Sequence, residues 1–155
     1  MRRIILAIAT AVLAVSALAI PGVAEAAPHH PVAAVSMTPA QREQAAMNWA
    51  LTQRGKWYQY GTAGPNTYDC SGLVYAAYLH EGLALPRTTY GMLASWHLVR
   101  VSTPKRGDLA FYGSGHVEFV TSWYRQTYGA HHTGTRIGYV TWTSYYHPTM
   151  YFEVR

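Results

Sequence analysis

The residues from Tyr68 to Leu79, Tyr-Asp-Cys-Ser-Gly-Leu-Val-Tyr-Ala-Ala-Tyr-Leu, dictate a helix with a cysteine at its start. Leu73, Val74, Ala77 and Tyr78 recur at i, i+1, i+4 and i+5, one face of a 3.6-residue period that must be buried against another layer. Asp69 is a suitable N-cap, which puts Cys70 in the first turn, where backbone N–H groups lack intrahelical partners. The positive end of a helix stabilises an anion, and the thiolate is the nucleophilic form of cysteine. The same N–H groups can donate to an oxyanion beside the sulfur. Cys70 is the only cysteine in the chain, so no intramolecular disulfide forms and stability rests on packing. In an arbitrary core helix a lone cysteine is more often a small buried hydrophobe. A helix-start position between polar residues, in a chain with export signals, favours a reactive thiol.

The export signals are at the N-terminus. Met1-Arg2-Arg3 is a basic n-region, Ile4 to Ile20 is a largely apolar run, Pro21-Gly22 breaks it, and Ala24-Glu25-Ala26 is an A-x-A-like cleavage site. Residues 1–26 are expected to be a signal peptide, 27–37 a linker, and 38–155 one domain with its own core. An uncleaved anchor is the alternative, since the run reaches the lower edge of a membrane span; after cleavage no membrane association is expected. Without Arg2, Arg3 and Glu25 the mature part carries ten basic and six acidic residues. That excess suits an anionic surface such as a cell wall, but no Lys/Arg cluster interleaved with aromatics points to nucleic acid.

Thr38-Pro39-Ala40-Gln41 reads as a capping box with proline at the first helical position, opening a helix that stops near Gly55. Gly61 to Asn66 is turn chemistry, the Cys70 helix ends near Gly82, and a short helix is expected from Tyr90 to Trp96, capped by Thr88 or Thr89. Strands are expected at Asp108–Tyr112, His116–Trp123, Tyr128–His131, Ile137–Thr143 and Met150–Val154. Helices followed by about five short strands indicate an α+β fold with an antiparallel sheet.

A cysteine nucleophile needs a base, and the base needs an orienting group. His116 opens a strand directly after Gly113-Ser114-Gly115 and is the candidate base, set against the ordinary reading of a surface histidine in a turn. On the neighbouring strand His131 is the candidate orienter and His132 the fallback; both could equally be solvent-facing turn residues. No H-E-x-x-H or Cys/His ligand spacing occurs, so no metal or other cofactor is expected, although His29-His30 and His131-His132 are adjacent pairs.

Five stretches then stand in order: Trp57-Tyr58-Gln59-Tyr60-Gly61, Tyr68-Asp69-Cys70-Ser71-Gly72-Leu73-Val74, Leu85-Pro86-Arg87-Thr88-Thr89, Gly107-Asp108-Leu109 and Gly115-His116-Val117. Together they resemble the NlpC-type family of bacterial cell-wall cysteine peptidases. The resemblance implies a papain-like domain over about residues 38–155, with the nucleophile Cys70 at a helix N-terminus and His116 as general base and acid. It implies a third polar residue on the next strand and substrate contacts from Tyr58, Asp69 and Ser71; for Tyr58, burial in the core is the plain alternative. Two departures stand out. Glu118 and Phe119 follow the histidine where the family usually has a small residue, commonly glycine, and then an aliphatic one. The plainest alignment puts Gly129 where the family has its third residue; only a shifted one puts His131 there. By strand alternation Glu118 should share a side with His116.

The resemblance further implies a secreted or wall-associated D,L-endopeptidase acting on peptidoglycan stem peptides between D-glutamate and diaminopimelate or lysine, through a thioester, as a monomer. The alternatives are an amidase or transpeptidase using the same Cys/His dyad, and a non-catalytic wall-binding module.

Overall fold

The computed structural model describes residues 36–155, and the expected signal peptide, with His29-His30, lies outside them. The helix α1 (Pro39–Thr52) starts as its sequence dictates: the Thr38 side chain accepts from the Gln41 N–H, and the Gln41 side chain accepts from the Thr38 N–H. Its inner face, Ala46, Met47 and Ala50, is fully buried. A short parallel pair follows, β1 (Trp57–Tyr58) with β2 (Thr67–Tyr68), and leads directly into α2 (Cys70–His80). The four residues of the periodic face, Leu73, Val74, Ala77 and Tyr78, are all buried; each of the larger ones contributes about 1.5–3 kcal/mol by leaving water. Glu81 caps the helix, and Gly82 leaves it at a φ of +77°, left-handed backbone that glycine adopts without steric cost. The one-turn helix α3 (Thr89–Leu93) is capped by the Thr88 hydroxyl and stops short of Trp96.

The remaining strands are β3 (Leu98–Val101), β4 (Leu109–Tyr112), β5 (His116–Val120), β6 (Gln126–Gly129), β7 (Gly138–Thr141) and β8 (Met150–Val154). They form one six-stranded sheet in the order β3-β8-β4-β5-β6-β7, antiparallel throughout. The expected class, α+β with helices on an antiparallel sheet, is what the chain adopts, with more strands than the five anticipated. The added sheet strand, β3, is a four-residue edge strand with exposed Arg100 at its third position, so no clean alternation announces it. Its partner β8 supplies the register, Leu98 opposite Val154 and Val101 opposite Tyr151.

The core lies between the helices and the sheet. Tyr78 of α2 stacks on Phe119 of β5 with ring centroids 6.3 Å apart. Glu43, buried on α1, accepts the Val154 N–H and ties α1 to β8. The Tyr128 hydroxyl donates to the Ala50 carbonyl at 3.3 Å, joining β6 to α1. These contacts hold α2 against β5 and α1 against β6 and β8.

Candidate active site

Cys70 is the first residue of α2, and Asp69 caps that helix by accepting the Gly72 N–H at 2.6 Å. The Asp69 carboxylate is then saturated. It also accepts from the Gly61 N–H at 2.8 Å, the Ser71 hydroxyl at 3.3 Å, and both terminal nitrogens of Arg87 at 2.9 and 2.7 Å. Arg87 reaches on to the Thr62 carbonyl at 2.9 Å. Asp69 raises the Arg87 guanidinium above its ordinary value, with burial opposing. Gly72 belongs to the same packing: a Cβ there would fall 2.1 Å from the Thr62 carbonyl oxygen. The side-chain oxygens of Asp69 and Ser71 are thus tied into one platform with Arg87, Gly61 and the helix start, and the Cys70 thiol takes no part in it.

His116 opens β5 opposite Tyr112, after the turn in which Gly113 takes a φ of +63°. It faces Cys70 across a cleft of about 350 Å³, lined also by Tyr58, Ser71, Arg87 and Gly115. Burial works against its charge, yet hydrogen bonds to Cys70 and Glu118, and the charges of both, push the imidazole up to about 9. At neutral pH it is therefore an imidazolium. The Tyr58 phenol is raised by burial, and then by the charges of Cys70 and Asp69, beside which its ring lies.

Glu118 is the residue on which the far side of the site converges. It is fully buried. Its Oε1 accepts from His116 Nε2 at 2.9 Å and from His131 Nδ1 at 2.8 Å. A carboxylate oxygen can only accept, so both ring nitrogens carry hydrogens. His116 Nε2 being so engaged, its Nδ1 is the nitrogen left for Cys70. Glu118 Oε2 accepts from the Thr127 hydroxyl, and the Tyr112 hydroxyl lies 2.8 Å from Thr127 Oγ1 and 3.4 Å from Oε2. Burial alone would raise this carboxyl; the hydrogen bonds from His116, His131 and Thr127, with the His116 charge, overcome it and hold it down at about 2.

Of the residues singled out from sequence, Cys70, His116, Tyr58, Asp69 and Ser71 line one cleft. Asp69 and Ser71 spend their side-chain oxygens on the platform. His131 differs from its expected setting: β6 ends at Gly129, so His131 stands beyond the strand, and its hydrogen bond goes to Glu118 rather than to His116. The ring centroids of His116 and His131 are 5.4 Å apart at an interplanar angle of 86°. His132 is exposed and its Nδ1 contacts the Thr133 carbonyl, outside the cluster. Arg87, Tyr112 and Thr127 carried no assigned role from sequence; Arg87 sat in a recognisable stretch, whereas nothing local marks the other two. The nitrogen and oxygen atoms of His116, Glu118 and His131 converge within 4.8 Å, close enough to surround a cation, but the two N···O separations are already hydrogen-bond lengths.

The NlpC/P60 family model matches residues 55–155. A probable endopeptidase of Corynebacterium glutamicum is 40% identical over 87 residues, 55% of this chain and 42% of that protein. The probable endopeptidase p60 of Listeria welshimeri is 44% identical over 63 residues, 39% of this chain and 12% of that protein. The matching stretch therefore spans less than half the length of these relatives. An NLP/P60-family protein from Staphylococcus aureus, described as similar to lipoprotein, has a similar structure, with a TM-score of 0.63 and 28% identity over 73% of this chain and 41% of that one. The NlpC/p60 domain of the peptidoglycan hydrolase SagA gives 0.62 at 25% identity, over 71% of this chain and 97% of that one. The family match takes in most of the sequence, Cys70 and His116 included, and the chain belongs to the NlpC/P60 family.

Proposed function

We propose that this chain is an extracytoplasmic cysteine endopeptidase that cuts the stem peptide of peptidoglycan at the bond between γ-linked D-glutamate and diaminopimelate or lysine. The observation that carries this reading is Cys70 in the first turn of α2, facing an imidazolium at His116 across an open cleft. The endopeptidase names of the relatives and the peptidoglycan hydrolase among the similar structures support the substrate class. Among the described residues no helix is long and apolar enough to cross a membrane.

The chemistry follows from the geometry. Cys70 Sγ attacks the amide carbonyl carbon, and the oxyanion collects at the start of α2, where the Cys70 and Ser71 N–H groups make no other hydrogen bond among the described residues. As the C–N bond breaks, His116 gives its Nδ1 proton to the leaving amine. The thioester is then hydrolysed by a water whose proton returns to His116, restoring thiolate and imidazolium. Muropeptide mass spectrometry of cell walls incubated with the full chain tests the reading. Fragments ending at D-glutamate are expected with wild type, and Cys70→Ala should lower their rate of release by about 10⁴-fold or more. Intact stem peptides from diaminopimelate- and lysine-type walls, with folded and reduced wild-type protein, would reject the proposed bond.

A further inference from the structure

In the sheet, Glu118 and Gly129 occupy each other's space. A Cβ built on Gly129 would lie 2.7 Å from Glu118 Cγ, 3.1 Å from its Cβ and 3.3 Å from its Cδ. Any side chain at position 129 would displace the glutamate; the glycine leaves the volume that Glu118 fills. Position 129 is where the family resemblance expects the polar residue that orients the base, and position 118 is where it expects a small one. The two departures are thus complementary in space, a large polar side chain on β5 filling the volume that a glycine on β6 leaves.

We propose that Glu118 is the positioning residue for His116, acting from the base's own strand in place of a group on the next one, with His131 as the second donor that fixes its Oε1. Three observations converge on it. The carboxylate is wholly buried, so its charge is held for the imidazole rather than spent on water. Its Oε1 accepts from His116 Nε2 and thereby keeps Nδ1 turned to the thiol. Its Oε2 is pinned by Thr127, which Tyr112 supports in turn, so the whole carboxylate has one orientation. The charged and titratable groups facing His116 are then Cys70 from α2, Glu118 from its own strand, Tyr112 from β4 and His131 beyond β6, with Tyr146, ahead of β8, packed on Tyr112 and His131. Tyr146 is raised to about 12 by burial and then by the charge of Glu118, and Tyr112 is raised further by the same causes, so both remain neutral where the enzyme works. Glu118 is the one carboxylate of this group.

This inference rests on the proposed reaction for its kinetic readout and on histidine NMR for an independent one. Glu118→Gln keeps an acceptor oxygen but removes the charge, Glu118→Ala removes both, and Gly129→Ala evicts the wild-type carboxylate without altering it. The His116 imidazole, followed by ¹⁵N shifts in the full chain, is expected to titrate near 9 in wild type and at least one pH unit lower in all three variants. The alkaline limb of kcat/KM should move down with it. At pH 7, kcat is expected to fall about 10-fold for Glu118→Gln and about 10²-fold for Glu118→Ala, with KM little changed. An unshifted His116 titration in folded Glu118→Ala overturns the proposal, as does wild-type kcat in that variant. Activity abolished by EDTA and restored by zinc would also overturn it, by making the histidine–glutamate cluster a metal site. A wild type that cuts no wall peptide, but whose His116 shifts as stated, rejects the proposed substrate and leaves the positioning role standing.

Discussion

Arg87 illustrates how much of this site is scaffold. Its guanidinium is bidentate to Asp69, touches Ser71 Oγ at 3.1 Å and donates to the Thr62 carbonyl, so one planar fork joins the turn before α2 to the helix start. An ammonium on a flexible stem cannot reproduce those directions. Arg87→Lys is therefore expected to cost about 1.5–3 kcal/mol, the range for hydrogen bonds to charged groups, measured as a lower urea midpoint with unchanged m-value. Its effect on turnover should track the loosened helix start rather than the titration of His116. Legibility at this scale followed chemistry that is local in sequence. Cys70 announced itself by its cap and its helix, and His116 by its strand-opening turn. Alternation also placed Glu118 on the His116 side. The contact between Glu118 and Gly129 is different, because a void is not written at the position that fills it. His131 was marked by its residue type, but its partner depends on where β6 ends, and no turn signal at Ala130 gives that away.

The elements were legible wherever a cap or a period is strong. Thr38 with Gln41, and Asp69 before the apolar face of α2, each specified a helix start that the structure reproduces. The strands β1 and β2 were not foreseen because they are two residues long and depend on the turn between them. That turn matters to function, since it carries Thr62 against the first turn of α2. Gly72→Ala tests the packing. The added methyl would meet the Thr62 carbonyl at 2.1 Å, and that carbonyl cannot retreat without giving up its bonds to the Asp69 N–H and to Arg87. Intrinsic helix propensity favours the alanine by up to about 1 kcal/mol. Overpacking against held backbone outweighs it, and a net destabilisation of about 1–3 kcal/mol is expected by thermal unfolding. A more stable Gly72→Ala would mean that the turn and the helix are not rigidly joined.

For the whole molecule, the site's charges make stability depend on pH in a direction that can be worked out group by group. Glu118 is held at about 2 against an ordinary 4.5, so its contribution is complete above 4.5 and is lost as the pH falls through 2. His116 is raised to about 9 from 6.5, so its contribution is complete below 6.5 and is lost as the pH rises through 9. The interval between 4.5 and 6.5 is where both are whole. Two acids work the other way: Glu43 and Asp108, raised chiefly by burial, are charged against the fold's preference as the pH climbs above their ordinary values. Their effect is common to wild type and Glu118→Gln, so it cancels in the difference between the two. That difference should form a plateau from pH 4.5 to 6.5 and decline on both sides, less steeply on the alkaline one, because Cys70 as well as Glu118 raises His116. Urea midpoints of both proteins at unit steps from pH 3 to 9 measure it directly. A difference independent of pH would show that Glu118 holds the sheet by its shape alone, with its charge contributing nothing to the histidine beside it.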